Sequence, residues 1–122
     1  MSGDNFLLDT NVIIGLLKQA PAAMALLERD AVSTNQSGYS AITRMELLSY
    51  PELQATEKET IEQILNLLTY YPITRVEEDI AISLRREQRL KLPDALILAT
   101  AKYHQLTLLT LDQKLQDADK NS

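Results

Sequence analysis

The run Phe6-Leu7-Leu8-Asp9 closes on a carboxylate, and Thr10-Asn11 lead straight into an amphipathic stretch from Val12 to Lys18. A buried strand that ends on an acid and turns at once into a helix is an α/β opening. In open α/β sheets, ligands sit outside the carboxyl ends of strands, where helix N-termini point. An acid at that place is either a helix cap or a ligand for something positive. The rest of the chain bears on which.

Strand-like and helical stretches go on alternating along the chain. Residues 5–9 read as a strand, Val12 to Leu17 as a short helix, and Pro21 starts another helix running to about Arg29. Residues 32–39 read as loop, with a short strand near Gly38-Tyr39-Ser40. A helix from about Ile42 to Tyr50 stops at Pro51. Thr56 with Glu59 has the form of a capping box, and Ile61, Ile64, Leu65 and Leu68 then share one helical face. Tyr70 to Ile73 form a third strand, and Thr74 with Glu77 caps a helix to about Arg89. Pro93 restarts helix, which continues from Asp94 to His104. Leu106 to Thr110 read as a strand and Asp112 to Asp117 as a short last helix, with frayed residues after it. This order implies a parallel sheet covered on both faces. The expected fold is a three-layer α/β/α sandwich around about four to five parallel strands.

The chain has 122 residues, which suits a single domain over residues 1–122. It has no cysteine, which excludes disulfides, thiolate metal sites and cysteine nucleophiles. Its start lacks the pattern of a signal peptide and no apolar run is long enough for a membrane span, so a cytoplasmic protein without membrane contact is expected. A formal net charge of −5 argues against a nucleic-acid binder that works through its whole surface. It leaves room for an enzyme that handles phosphates through a metal.

Four acids stand out by context. Asp9 ends the first strand, Glu46 lies in the segment Ser40–Leu48 inside a mostly apolar helix, Asp94 follows Leu92-Pro93, and Asp112 comes just after the last strand. Leu98 and Ala101 share the helical face of Asp94, so this carboxylate heads a stripe that should meet the core. A lone charge there is costly, and a hard cation with oxygen ligands removes the conflict. Mg²⁺ or Mn²⁺ suits such a set. Each acid also has a plain structural reading. Asp9 and Asp112 can cap helices, Asp94 lies in a first turn that favours negative charge, and Glu46 can pair with Arg44 or a distant arginine. In combination the four point to a site.

These segments resemble the PIN-domain family, specifically the VapC-type toxins of toxin–antitoxin pairs. Leu7-Leu8-Asp9-Thr10-Asn11-Val12 looks like the family's opening motif. Ser40-Ala41-Ile42-Thr43-Arg44-Met45-Glu46-Leu47 looks like the second, Asp94-Ala95-Leu96-Ile97-Leu98-Ala99-Thr100-Ala101 like the third, and Leu108-Leu109-Thr110-Leu111-Asp112 like the fourth. The fourth departs from a common form, because Leu115 stands where many relatives place a further acid, and Asp117 is a poor substitute. The resemblance implies a metal-dependent ribonuclease. Asp9, Glu46, Asp94 and Asp112 would be both its catalytic residues and its Mg²⁺ or Mn²⁺ ligands. The implied partners are an RNA substrate, an antitoxin protein and a second copy in a homodimer. Thr10 and Asn11 would turn backbone amides to phosphate, and Thr43 or Thr110 would hold a carboxylate or water. All four fit equally well as caps.

Other residues allow two readings. Arg85, Arg86 and Arg89, with Lys91 beyond them, suit a phosphate, RNA or antitoxin contact, or simply a solvated helix end complementing the dipole. His104, the only histidine, is expected to be solvated. Tyr70 and Tyr71 can stack on bases, though a strand entering the core explains them better. The apolar surface of Val12–Leu17 and Ile61–Leu68 suits a dimer or an antitoxin groove as well as a core. The competing functions are a receiver-like phospho-acceptor or metal-dependent phosphatase, and a nuclease fold that binds nucleic acid without turnover. A lone acid after the first strand, and no aspartate in Tyr70–Ile73, weigh against the receiver.

Overall fold

A computed structural model of the chain describes residues 4–122. Four parallel strands, β1 (Phe6–Leu8), β2 (Ser37–Ser40), β3 (Thr69–Tyr71) and β4 (Thr107–Leu109), form one sheet in the order β3-β2-β1-β4. Seven α-helices are found among the described residues: α1 (Thr10–Leu17), α2 (Pro21–Arg29), α3 (Ala41–Leu48), α4 (Ala55–Leu65), α5 (Arg75–Gln88), α6 (Leu92–His104) and α7 (Gln113–Lys120). The three-layer α/β/α sandwich is as expected. None of these helices is long and apolar enough to cross a membrane by itself.

The two-residue period of a strand separates the cores. Leu7 and Leu108 face one side, packed with Leu84, Leu98 and Leu115 from α5, α6 and α7. Leu8 and Leu109 face the other, packed with Val12, Ile13, Leu47, Ile61 and Leu65 from α1, α3 and α4. Both faces of the sheet are therefore covered. The chain leaves β1 toward β2 and β3, then returns to place β4 on the other flank of β1. The order of strands reverses beside β1, and such a reversal opens a crevice at the carboxyl edge of a sheet.

Several boundaries differ from the sequence reading. Helix α1 begins at Thr10 rather than Val12, because the Asp9 side chain accepts the Thr10 amide and the Asp9 carbonyl accepts Val12 N–H at 3.0 Å. The expected Thr56–Glu59 box is displaced: Gln54 caps α4, its amide donating to Glu57 at 3.0 Å, and Thr56 lies inside the helix. β3 is shifted to Thr69–Tyr71, since Pro72 has no N–H for the ladder. The C-terminal residues continue α7 to Lys120, and Lys102 Nζ ties them down by donating to the carbonyls of Asp119 and Ser122 at 3.1 and 3.0 Å.

His104 also departs from expectation. Its ring stacks near Tyr71, with centroids 4.5 Å apart, and Nε2 faces a Glu77 carboxylate oxygen at 3.4 Å. Glu77 is only 1% exposed. Burial pushes its carboxyl up, but hydrogen bonds from Thr74, the local backbone and His104 outweigh that and hold it below the usual value. The expected Thr74–Glu77 box forms, and the pair with His104 adds a brace from the start of α5 to the end of α6.

Candidate active site

β1 and β4 run side by side in the same direction, so Asp9 and Thr110 emerge as neighbours at their carboxyl ends. Asp9 is 5% exposed. One of its oxygens accepts the Thr10 amide at 2.7 Å, and the other accepts the Thr110 hydroxyl at 2.6 Å. Thr110 Oγ1 in turn accepts the Asp112 amide at 3.0 Å and the Asn11 side-chain amide at 3.4 Å. Asn11 Oδ1 accepts Leu111 N–H at 3.1 Å. Asp9, Asn11 and Thr110 thus lock the start of α1 to the segment that follows β4.

Glu46 arrives from α3. The Thr10 hydroxyl donates to its carboxylate at 2.6 Å and lies 3.0 Å from the hydroxyl of fully buried Thr43. A hydroxyl has one proton. With that of Thr10 given to Glu46, Thr43 is the donor in the second bond. Asp94 stands in the first turn of α6, half-buried, and its carboxylate makes no hydrogen bond among the described residues. Asp112 caps α7, accepting the amides of Lys114 and Leu115 at 2.9 and 3.3 Å. Its cap reading is realised, and its charge acts on Asp94.

The acids influence one another. Burial raises the Asp9 carboxyl above its ordinary value, against hydrogen bonds from Thr110 and Thr10, and the charges of Asp94 and Glu46 raise it further. Burial also raises Asp94, followed by repulsion from Asp112 and Glu46, while Lys91 and Lys114 pull it down. Four carboxylates from distant parts of the chain therefore share one field. Among the described residues none of the four is neutralised by an ion pair with lysine or arginine. Nor do any three acidic or histidine side chains among them stand close enough to make a ready ion cage. This all-oxygen, loosely gathered set fits a small hard cation that keeps several waters and takes one or two carboxylates.

The other candidates separate. Asp117 is exposed and bonded to Gln113 at 2.9 Å, and Leu115 is core, so the fourth motif contributes Asp112 alone. Arg85, Arg86 and Arg89 are all exposed, and Arg85 is partly committed, its Nε donating to the Leu90 carbonyl at 3.3 Å. Tyr71 is buried and Tyr70 half-exposed on the edge strand. His104 lies at the far end of α6 from Asp94. The sequence reading passed over Lys114, whose signal was its position two residues beyond Asp112 at the start of a helix.

The PIN-domain family model matches residues 6–121, and the chain belongs to that family. It is similar to a chain of a toxin–antitoxin complex from Klebsiella pneumoniae, with 34% identity, TM-score 0.78, and coverage of 90% of this chain and 88% of that one. It is also similar to FitAcB from Neisseria gonorrhoeae, with 30% identity, TM-score 0.76, and coverage of 94% and 93%. DNA-bound VapBC from Salmonella typhimurium shares the fold at 22% identity, TM-score 0.78, with coverage of 93% and 91%. No curated protein matches the chain significantly.

Proposed function

We propose that the chain is a Mg²⁺- or Mn²⁺-dependent endoribonuclease, the toxin of a type II toxin–antitoxin pair, and that residues 1–122 form one PIN domain. The observation that carries this reading is the coupling of Asp9, Glu46, Asp94 and Asp112: Asp9 is raised by burial and by the charges of Asp94 and Glu46, and Asp94 by burial and by those of Asp112 and Glu46. These four are the residues proposed to hold the ion. Once bound, a divalent ion lowers the pKa of a water and screens the charge developing on the phosphodiester.

The chain's own groups do the rest. Thr110 and the Thr10 amide fix both Asp9 oxygens, so this carboxylate is oriented before any ligand arrives. Thr43 holds Thr10, and Thr10 holds Glu46. Asp94, free of hydrogen bonds among the described residues and raised in pKa, is the group best suited to take the proton of the attacking water. Arg86 and Arg89 remain candidates for RNA contact. The receiver alternative finds no support, since β3 ends on Tyr71 and offers no acceptor aspartate.

A partner antitoxin is supported by the Klebsiella relative, which was solved as a toxin–antitoxin complex. A groove of about 520 Å³, lined by Ile14, Leu17, Leu47 and Ile61 together with Lys18 and Glu57, offers such a partner a seat. A homodimer and a cytoplasmic location belong to the same proposal.

The test incubates purified protein with structured RNA in Mn²⁺ or in EDTA, beside an Asp9→Asn variant. Cleavage should require the metal and fall by at least about a hundredfold in the variant. Cleavage in EDTA, or by Asp9→Asn at the wild-type rate, would sink the reading.

A further inference from the structure

A lysine ties α7, which Asp112 caps, to the turn that leads into α6 and Asp94. Lys114, two residues beyond Asp112 on α7, reaches across to the α5–α6 turn, where its ammonium donates to the Arg89 carbonyl at 3.3 Å. Arg85 Nε fastens the same turn from the other side, through the Leu90 carbonyl at 3.3 Å. Lys91 ends this turn as the residue before α6, three positions ahead of Asp94. Both lysines are exposed.

Neither lysine is neutralised. Among the described residues the ion pairs are Arg29–Asp30, Lys58–Glu62, Lys102–Asp119 and His104–Glu77. Lys114 spends one of its three protons on Arg89, leaving two for another acceptor, and the Lys91 ammonium has no hydrogen bond among the described residues. In a chain of net charge −5, most of the surface repels a polyanion. Lys91 on this anchored turn and Lys114, which reaches it from α7, bring two ammonium groups without ion pairs to the segment that joins Asp94 and Asp112, where a phosphate backbone must approach. A purely structural tether would explain Lys114, but not Lys91.

We propose that Lys91 and Lys114 form a phosphate clamp that holds single-stranded RNA by the phosphate next to the one being cut. The proposal rests on the nuclease reading above. Both are positioning residues, acting on where the strand lies rather than on the reacting bond.

The test measures binding of a short fluorescein-labelled oligo-uridine by anisotropy in EDTA, where nothing is cleaved, across a series of salt concentrations. The proteins are wild type, Lys91→Ala, Lys114→Ala, the double variant, and Lys18→Ala as a control at the far end of α1. Each clamp variant should weaken binding and flatten the plot of log affinity against log salt by about 0.7, the double variant by about 1.4. Lys18→Ala should keep the wild-type slope. An unchanged slope in the double variant overturns the clamp, as does equal flattening by Lys18→Ala or a wild type that binds no RNA. Mn²⁺ added to the same preparations tests the nuclease reading separately. There the double variant should raise KM with kcat held, and loss of cleavage in every preparation counts against the nuclease, not the binding slopes.

Discussion

Asp9 is both a cap and a carboxylate charged at a cost, and the same hydrogen bonds account for both. The Thr10 amide and the Thr110 hydroxyl occupy its two oxygens, which stabilises the ionised form, while burial and the neighbouring acids oppose it. Asp94 has the opposition without the hydrogen bonds. Its pKa is raised first by burial, then by Asp112 and Glu46. The folded state thus keeps this proton to higher pH than the unfolded chain does. Stability falls as pH climbs from the ordinary value of 3.8 through the raised one, and the ionised group weighs on the fold at neutral pH. Asp94→Asn should therefore be more stable than wild type in EDTA at pH 7, by on the order of 2 °C in Tm given its partial exposure. The gain should vanish below the ordinary carboxylate range. Calorimetry across pH checks this, and a variant less stable than wild type at pH 7 contradicts it.

Among the helices, α1 depends on a close approach. Gly15 lies where α1 meets α2, and a Cβ added there would collide with the Cβ of Ala23. Replacing a mid-helix glycine by alanine usually stabilises by about 0.5–1 kcal/mol. Here overpacking, at about 1–3 kcal/mol, exceeds that gain. Gly15→Ala should lose about 1–2 kcal/mol in urea unfolding, and Gly15→Ala with Ala23→Gly should recover part of it. A neutral single variant would mean that α2 can slide away freely. Because α1 starts at Thr10, a shift in α1 also disturbs the bonds that reach Glu46 and Thr110, so activity should drop with stability.

Over the entire sandwich, Asp9 lies at the carboxyl edge of the sheet beside the strand-order reversal, and the charges of Glu46 and Asp94 reach it while that of Asp112 reaches Asp94. A ligand that binds only the folded state adds about 2.7 kcal/mol at a hundredfold excess over its Kd. Mn²⁺ should raise Tm at neutral pH, EDTA should reverse the effect, and the increment should shrink toward acid pH as protons compete for Asp9 and Asp94. Asp9→Asn should lose most of the response. An identical Mn²⁺ response in wild type and variant would place the ion elsewhere.

Local patterning in the amino-acid order was enough to determine the alternation of strands and helices, the three layers, the Thr74–Glu77 cap, and which four acids to watch. Those features follow from near-neighbour propensities and from the periods of buried residues. The strand order β3-β2-β1-β4, the bonds joining Asp9 to Thr110 and Thr10 to Glu46, the partner of His104 and the place of Lys114 were decided by the folded chain. Each joins residues far apart in sequence. Their meeting depends on how helices cross the sheet and on the volume left between them, which no local signal encodes. The α4 cap shows the same limit at short range: Thr56–Glu59 and Gln54–Glu57 both supply a glutamate three residues on, and the observed helix starts at Ala55 under Gln54, where Ile61 and Leu65 reach the core.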